Sequence, residues 1–349
     1  MQKNTASGIV QDSMEKSHPF TICNTQIHPG ERITIAVPTP EIYTCAPVHL
    51  PIHIIHGRRA GPKLLICAAM HADEVNGIAI IERLLGMSLL KKLQGTLITV
   101  PVVNAFGLIN QSRLLPDGYD LVGSFGMSEH GSFAGRLAHL LDSEILSLAT
   151  HCVDLHTGEP HRYRLPQIQT NLDMSETRAM AECFGTPLTV HNDTKRGLLW
   201  QLYKEAPIPT VIYEGGEALR LDELTIRTGV KGIIRLMRHL GMLKETVPSP
   251  IKPLVVRDTI SCWAPKSGLC KLKKHVGAYV KTGDVLAEIS DPFGTSHTSH
   301  VKAPIDGLII SHSNLPLVNE GQPVFEIAEY SRSEKMVEHM ESWQHQEQS

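Results

Sequence analysis

Two histidines and a glutamate carry the side-chain types and spacing of a catalytic metal site. His71 and Glu74 form an H-x-x-E pair, and His156 follows much later in the chain. Such a His, Glu, His set would hold zinc and leave one coordination position open, as a catalytic site requires. The spacing by itself carries little information, because His156 and Glu159 repeat it among 19 histidines, and most histidines at strand ends only contact a backbone carbonyl.

Predicted strand ends add the missing information. The apolar run 63–70 predicts a buried strand that ends just before His71, and the run 152–157 predicts another that ends near His156. Glu214 lies in a third such run, 210–216. Ligand sites in open α/β sheets gather at the carboxyl edge of the strands, so this edge is expected to bring the three positions together.

Two further carboxylates complete the metal hypothesis. Glu214 is the best placed base to activate a metal-bound water, although it could equally be a helix-entry carboxylate favoured by the helix dipole. Asp154 lies two residues before His156 and could orient a metal-bound imidazole. Strand alternation leaves open which imidazole that is. The expected cofactor is one Zn²⁺ per chain.

The elements that must position these residues alternate between strands and helices. Helical apolar spacing follows the strands over residues 74–93, 131–149, 175–185 and 220–243. This alternation predicts the α/β class, with a mostly parallel central sheet and helices on both faces. Three prolines within 248–253 mark a linker, and the short alternating runs that follow predict a small all-β module.

The expected organisation therefore has four parts. Residues 1–48 form an N-terminal extension packed on the main domain, and residues 49–247 form the α/β domain. Residues 248–330 form the β-rich appended domain. The polar residues 331–349 are expected to be a frayed tail.

Composition excludes several classes of protein. With 42% apolar residues, 20% charged residues and a net charge of −3, the chain is neither disordered nor a generally basic nucleic-acid binder. Seven scattered cysteines without a CxxC pair favour a reducing compartment. The N-terminus lacks the apolar run of a signal peptide, and no stretch approaches ~20 apolar residues. The expectation is a cytoplasmic protein that acts on a small molecule, without nucleic-acid or membrane partners, and a homo-oligomer is possible.

Four sequence blocks resemble, in order, the succinylglutamate desuccinylase/aspartoacylase family. They are GPKLLICAAMHADEVNG, VVNAFGLINQSRLLPDGYDL, VDLHTGEPHRYRLPQ and VIYEGGE. The resemblance implies a zinc amidohydrolase on a zinc carboxypeptidase-like α/β fold, with His71, Glu74 and His156 as zinc ligands. It also implies that Glu214 acts as base and then as acid, and that Arg113 polarises the scissile carbonyl. A permanently charged guanidinium suits that task.

The same resemblance extends to the C-terminal module. Its strands are similar to the β-barrel appendage of longer family members and to biotinyl/lipoyl barrel-sandwich hybrids. The lysine-centred tip of a modified carrier domain is missing around Lys302. The module is therefore not expected to carry a covalent cofactor.

The chain departs from the family pattern in its expected substrate pocket. Family members usually carry D-L-N-R-x-F-P-G, whose Asn and Arg grip a substrate carboxylate, but Val122 and Gly123 stand at those positions here. An anionic substrate would lose that arginine clamp. The remaining expected substrate contacts lie in the same blocks, although exposed loop positions would also explain some of them: Asn104, Tyr119, Tyr163 and Arg164.

Two functional hypotheses follow from these residues. The preferred one is a zinc-dependent hydrolase that cleaves the amide bond of an N-acyl amino acid or a related small molecule by a metal-activated water. The alternative is a non-catalytic, metal-containing binding or regulatory protein with an altered pocket. The intact ligand set with Glu214 favours the first, whereas the missing clamp favours the second.

Overall fold

The computed structural model describes residues 15–41, 43, 47–127, 130–192, 208–244, 250–294, 298–330 and 333–348. Its helices are α1 (Val75–Leu85), α2 (Ala105–Asn110), α3 (Phe133–Glu144), α4 (Ser175–Phe184), α5 (Glu223–His239) and α6 (Ser333–Gln348), with 3₁₀ turns at Ser88–Lys92, Val122–Ser124 and Leu146–Leu148. Within these ranges, no helix combines the length and the apolar composition needed to cross a membrane.

The strands fall on both sides of residue 250. Before it lie β1 (Phe20–Ile22), β2 (Thr25–Ile27), β3 (Arg32–Pro38), β4 (His49–His56), β5 (Lys63–Ala68), β6 (Thr96–Val100), β7 (His151–Gly158), β8 (Arg162–Thr170), β9 (Leu188–His191) and β10 (Thr210–Glu217). After it lie β11 (Leu254–Val256), β12 (Thr259–Trp263), β13 (Gly268–Leu272), β14 (Tyr279–Val280), β15 (Val285–Ser290), β16 (Ser299–Lys302), β17 (Gly307–Ser313), β18 (Leu317–Val318) and β19 (Pro323–Glu329).

One long sheet organises the molecule in the order β12-β19-β17-β8-β10-β7-β5-β6-β4-β3. Its centre is parallel, because β5 pairs in parallel with β6 and β7, and β7 with β10. The flanking strands β4 and β8 are antiparallel to this centre. The α/β class is confirmed, and parallel pairing dominates the centre of a sheet that is mixed as a whole.

Helices cover both faces of the parallel centre. Along β5, Leu65 and Cys67 join the apolar core beneath α3, whereas Leu64 and Ile66 join the core beneath α1, α4 and α5. Successive side chains of a strand point to opposite faces, so a strand buried on both faces is apolar throughout. Gly77 allows α1 to approach closely, since a Cβ atom there would lie only 2.8 Å from the Cβ of Ala68.

The strands after residue 250 surround a core of their own but do not form an isolated sheet system. β16, β15, β13 and β18 form one sheet, whereas β17 pairs with β8 and so extends the central sheet. The separate barrel-sandwich domain expected from the sequence is therefore not confirmed. The physical reason is that β9 covers only residues 167–170 of the outer edge of β8, and β17 covers residues 162–164, which would otherwise be unpaired.

Residues 331–349, expected to be a frayed polar tail, contain α6. Met336, Met340 and Trp343 are buried on one face of this helix. The indole Nε1 of Trp343 donates to the carbonyl of Gly185 at 3.2 Å. The apolar side chains recur every three to four residues, which produces a narrow buried stripe in a helix that is polar in overall composition.

Candidate active site

The chain turns sharply after β5 to present His71 at the carboxyl edge of the sheet. Ala69 has a φ of 50°, in the left-handed region, where a residue with a Cβ atom costs about 1–2 kcal/mol. Its carbonyl accepts a hydrogen bond from the N–H of Asn104 at 2.9 Å, which helps to hold the turn. Glu74 immediately precedes α1, and its N–H donates to the carbonyl of His71 at 3.0 Å.

Two neighbouring strands supply His156 and Glu214. These residues are partners in the parallel ladder between β7 and β10, so their side chains emerge side by side. Asp154 lies two residues before His156 and shares its face of the strand. The strand ends thus meet at one edge, as the sequence analysis expected.

His71, Glu74 and His156 form a compact group of possible metal ligands. One donor atom from each lies within 4.8 Å of the others. Nδ1 of His71 is 3.0 Å from Oε1 of Glu74, and Nδ1 of His156 is 2.7 Å from Oε2. The 2.7 Å contact is an ion pair without hydrogen-bond geometry, so the buried Oε2 atom has no hydrogen-bond partner among the described residues. It is an acceptor available to a cation.

The far nitrogens of both imidazoles face carboxylates. Nε2 of His71 lies 3.1 Å from Asp120, and Nε2 of His156 lies 2.8 Å from Asp154. Arg113 donates to Nδ1 of His71 at 2.9 Å, which places a lone pair on Nδ1 and the ring hydrogen on Nε2. Metal-bound histidines typically donate their second nitrogen to a carboxylate in this way. The donor set and its surroundings therefore fit a zinc ion.

The electrostatic surroundings of the possible metal ligands favour the charged forms of Glu74 and His156. Burial opposes ionisation of Glu74, but His156 and His71 outweigh it and lower the pKa of Glu74 to about 2. Burial likewise opposes the charged form of His156, yet Asp154 and Glu74 raise its pKa well above its ordinary value. The pocket is thus built to stabilise a positive charge between these side chains.

Glu214 is held from the neighbouring strand β8. Its Oε1 lies 3.0 Å from Nε of Arg164, and its Oε2 accepts hydrogen bonds from Gln167, at 3.3 Å, and from Gln169. Burial raises the pKa of Glu214 above its ordinary value, and the Arg164 guanidinium partly offsets this effect. A positioned carboxylate with a raised pKa is suited to accept and return a proton.

The C-terminal strands contribute to this arrangement through Glu326. Arg164 contacts Glu326 of β19 through Nη1 at 2.9 Å while its Nε faces Glu214. The guanidinium is therefore shared between two carboxylates. Because β17 pairs with β8, the appended strands are fixed beside the residues that hold Glu214.

These side chains line a cavity of about 260 Å³. Seven of the predicted site residues border it, namely His71, Glu74, Arg113, Val122, His156, Arg164 and Glu214. The cavity wall also includes Asp154, Thr157, Glu159, Gln169, Asn192 and Ile212. It is large enough for a small molecule of the size of an acylated amino acid.

The structure places four other predicted residues outside this cavity wall. Asn104 is buried, caps α2 by accepting a hydrogen bond from the N–H of Gly107, and contacts the carbonyl of Arg113. Tyr119 is exposed, and Gly123 lies in a 3₁₀ turn. Tyr163 contacts Asp222 at 3.4 Å and stacks on His312. Asn104 thus supports the Arg113 loop from outside the cavity wall.

Several site residues were absent from the sequence-based set. Gln167 and Gln169 alternate along β8, a pattern that would have placed them on one face had this segment been interpreted as a strand. Asp120 precedes Val122 in the altered pocket block, but no spacing rule links it to His71. Glu326 lies more than 160 residues from Arg164, and no local sequence pattern links the two.

We expect Glu326→Gln to change the protonation behaviour of Glu214 while leaving the group formed by His71, Glu74 and His156 intact. Glu326 raises the pKa of Glu214, so its neutralisation should lower that pKa, as a carboxyl titration followed by NMR would measure. The control is Glu320→Gln, at an exposed turn of the same module. An unchanged pKa of Glu214 in Glu326→Gln would contradict the coupling.

Fold and site together define an α/β protein with a His-Glu-His ligand group and a buried carboxylate at the carboxyl edge of its parallel strands. The chain belongs to the succinylglutamate desuccinylase/aspartoacylase family. Residues 60–240, more than half of the chain, match the sequence model described as Succinylglutamate desuccinylase/Aspartoacylase catalytic domain.

Named relatives agree with this assignment. The chain is 25% identical over 307 residues to an N-alpha-acetyl-L-2,4-diaminobutyric acid deacetylase from Halomonas elongata, covering 82% of this chain and 87% of the relative. A succinylglutamate desuccinylase/aspartoacylase structure from Rhodobacter sphaeroides superposes with a TM-score of 0.76 at 25% identity, covering 86% and 96% of the two chains. The product-bound structure of the ectoine utilization protein EutE (DoeB) from Ruegeria pomeroyi also superposes with a TM-score of 0.76, at 22% identity, covering 90% of this chain and 98% of that chain. That last likeness supports the fold.

Proposed function

We propose that this protein is a zinc-dependent hydrolase that cleaves the amide bond of an N-acyl amino acid or a related small molecule. The observation that carries the proposal is the convergence of the His71, Glu74 and His156 ligand group with Glu214 in one cavity. Membership of the family and the deacetylase name of the Halomonas elongata relative support the reaction class.

His71, Glu74 and His156 would hold the ion, with Asp120 and Asp154 orienting the two imidazoles. When bound, zinc supplies Lewis acidity to the substrate carbonyl and to water. The lone pair on Nδ1 of His71 serves one partner at a time, so Arg113 gives up that contact in the loaded site. Arg113 then keeps its ion pair with Asp73, at 3.3 Å.

Glu214 performs the proton transfers of the proposed reaction. It accepts a proton from the attacking water and returns it to the departing amine nitrogen, so that amide and water become carboxylic acid and amine. Arg164, Gln167 and Gln169 hold the carboxylate in place. Each carboxylate oxygen has two acceptor sites, so these contacts leave room for the proton.

Arg113 stabilises the charge that develops on the carbonyl oxygen. Its guanidinium borders the cavity beside the ligand group. It remains protonated throughout, and a fixed positive charge in a partly buried site lowers the energy of an oxyanion more than that of a neutral carbonyl. This is the property that an acyl-transfer site requires.

A non-catalytic binding protein is the second candidate, and Val122 is the observation that favours it. This apolar side chain borders the cavity where relatives usually hold a substrate carboxylate. Ligand binding alone does not require a buried carboxylate held in place as Glu214 is, whereas hydrolysis requires such a base. Hydrolysis is therefore the better supported function. The two candidates differ in a direct experiment.

That experiment combines metal analysis of the purified chain with a screen of N-acyl amino acids and neutral amides. The proposal expects about one zinc per chain and zinc-dependent release of amine from at least one class of substrate. Binding of zinc and ligand without turnover across the whole panel would support the binding protein instead. Absence of zinc binding would contradict both candidates.

The double substitution Val122→Asn with Gly123→Arg should shift preference toward anionic N-acyl amino acids. An arginine contacts a planar carboxylate through two parallel hydrogen bonds, which the present pair of side chains cannot make. We expect a gain of roughly 10-fold in the ratio of kcat/KM for anionic over neutral substrates. Parallel assays on matched anionic and neutral amides provide the measurement.

The local backbone permits this test. A Cβ atom at Gly123 would meet no other atom within 4 Å, and Gly123 is not among the residues with positive φ. The melting temperature should therefore stay close to that of the unaltered protein. A uniform loss of activity with a lower melting temperature would show that position 123 requires glycine, and the clamp interpretation would then fail.

A further inference from the structure

A second cavity lies at the opposite edge of the central sheet from the candidate active site. It has a volume of about 600 Å³ and is formed where β4 ends and β6 begins, around Gly57, Leu93 and Gln94. The paired residues His56, Lys63 and Thr96 show that this is the amino edge of β5 and β6. The length of β5, about 20 Å, separates it from His71.

The wall of this cavity is strongly basic. Six of its fourteen residues are Arg or Lys, although only 33 of the 349 residues in the whole chain are. They are Arg32, Arg58, Arg59, Lys91, Lys92 and Lys244. The acidic residue of the wall is Glu31, whose carboxylate accepts a hydrogen bond from the N–H of His28. The local surplus of positive charge contrasts with the net charge of −3 of the chain.

Several of these cations lack an acidic partner. Among the residues that the structure describes, Arg58, Lys91 and Lys92 form no ion pair. Like charges around one cavity repel one another, and a concave surface of one sign concentrates its electric field in the cavity. An anion of several charges would relieve this repulsion.

Backbone hydrogen bonds hold the loop that carries Arg58 and Arg59. Gly57 N–H donates to Gly95 at 2.8 Å, and Gly95 N–H donates to Arg59 at 2.9 Å, which joins the loop after β4 to the segment before β6. Gly30 has a φ of 90°, a backbone conformation that favours glycine, and a Cβ atom there would lie 2.9 Å from Nε of Arg58. The absence of a side chain at Gly30 leaves room for the Arg58 side chain beside this turn.

We propose that this cavity binds a small polyanion built on linked phosphate groups. Guanidinium groups match phosphate oxygens in paired hydrogen bonds, and the neighbouring lysines supply additional positive charge. The volume exceeds that of a single phosphate, and linked phosphates offer several charges over a short length. His56, the aromatic ring in the wall, is buried and bonded to Thr96, so recognition relies on the phosphates.

The test is a calorimetric titration of the full chain with inorganic tripolyphosphate at fixed ionic strength. Because polyphosphates also chelate zinc, the titration is repeated on His156→Ala, which removes a proposed zinc ligand. We expect saturable binding with similar affinity in both proteins. Arg58→Gln with Lys92→Gln should weaken this binding at least ~10-fold, as should Lys91→Gln with Lys92→Gln.

The matched control is Lys271→Gln with Lys281→Gln, which removes the same charge from exposed positions on β13 and directly after β14. It should bind tripolyphosphate like the unaltered protein. Titrations with adenosine diphosphate, pyrophosphate and citrate compare the affinity of the cavity for a nucleotide, a free polyphosphate and a polycarboxylate. Absence of saturable binding, equal weakening by the control, loss of binding in His156→Ala, or equal affinity for citrate would each overturn the proposal.

Discussion

Glu214→Gln is expected to retain the bound metal and to lose turnover by a factor of at least ~10². The amide is close in size to the carboxylate and keeps an oxygen that can face Gln167 and Gln169, but it cannot accept a proton from water. Burial raises the pKa of Glu214, and Arg164 partly offsets that rise. Substitution removes this tuned base while leaving the ligands His71 and His156 in place.

Zinc content by mass spectrometry and kcat on the best substrate of the screen measure the two consequences separately. Glu82→Gln, an exposed position on α1, controls for removal of a negative charge. Loss of metal in Glu214→Gln would mean that this residue is a ligand rather than the base. Full turnover with full metal would exclude it from both roles.

His156→Ala is expected to abolish both zinc binding and activity in a protein that remains folded. His156 supplies one of the three proposed ligands, and two ligands cannot hold the ion as tightly as three. Zinc should raise the melting temperature of the unaltered protein, because a ligand that binds only the native state stabilises it. The variant should show no such rise.

His71→Ala should reproduce this result, since the two histidines are paired through Glu74. His49→Ala, at an exposed position of β4, is the matched control and should keep full zinc occupancy. About one zinc per chain in both ligand variants would remove this group from the proposed mechanism. Activity that survives without zinc would contradict the metal-dependent reaction itself.

Sequence alone identified the elements that carry the candidate site. The apolar runs before His71, His156 and Glu214 are the strands β5, β7 and β10, and each lies in the parallel centre of the sheet. Burial on both faces imposes an uninterrupted apolar pattern on such strands, and this pattern is local in the chain. Residues at their carboxyl ends could therefore be placed together before any contact was known.

The helix α6 shows where composition misleads. Residues 331–349 are polar in overall composition. Met336, Met340 and Trp343 nevertheless pack into the core that includes Leu188 and Leu308. A narrow apolar stripe is visible only when a helical period is applied to the segment. The extent of its burial depends on the surfaces of α5 and of the appended strands, which lie far away in sequence.

Only the tertiary structure decided how each site residue is supported. It placed Asp120 against His71, Glu326 against Arg164 and so beside Glu214. It also placed Asn104 beside the carbonyl of Arg113 and Tyr163 beside Asp222. Such pairings depend on strand register and on which edge the appended strands cover. Strand periodicity determines the face on which a side chain lies, whereas its partner is determined by contacts between segments distant in the chain.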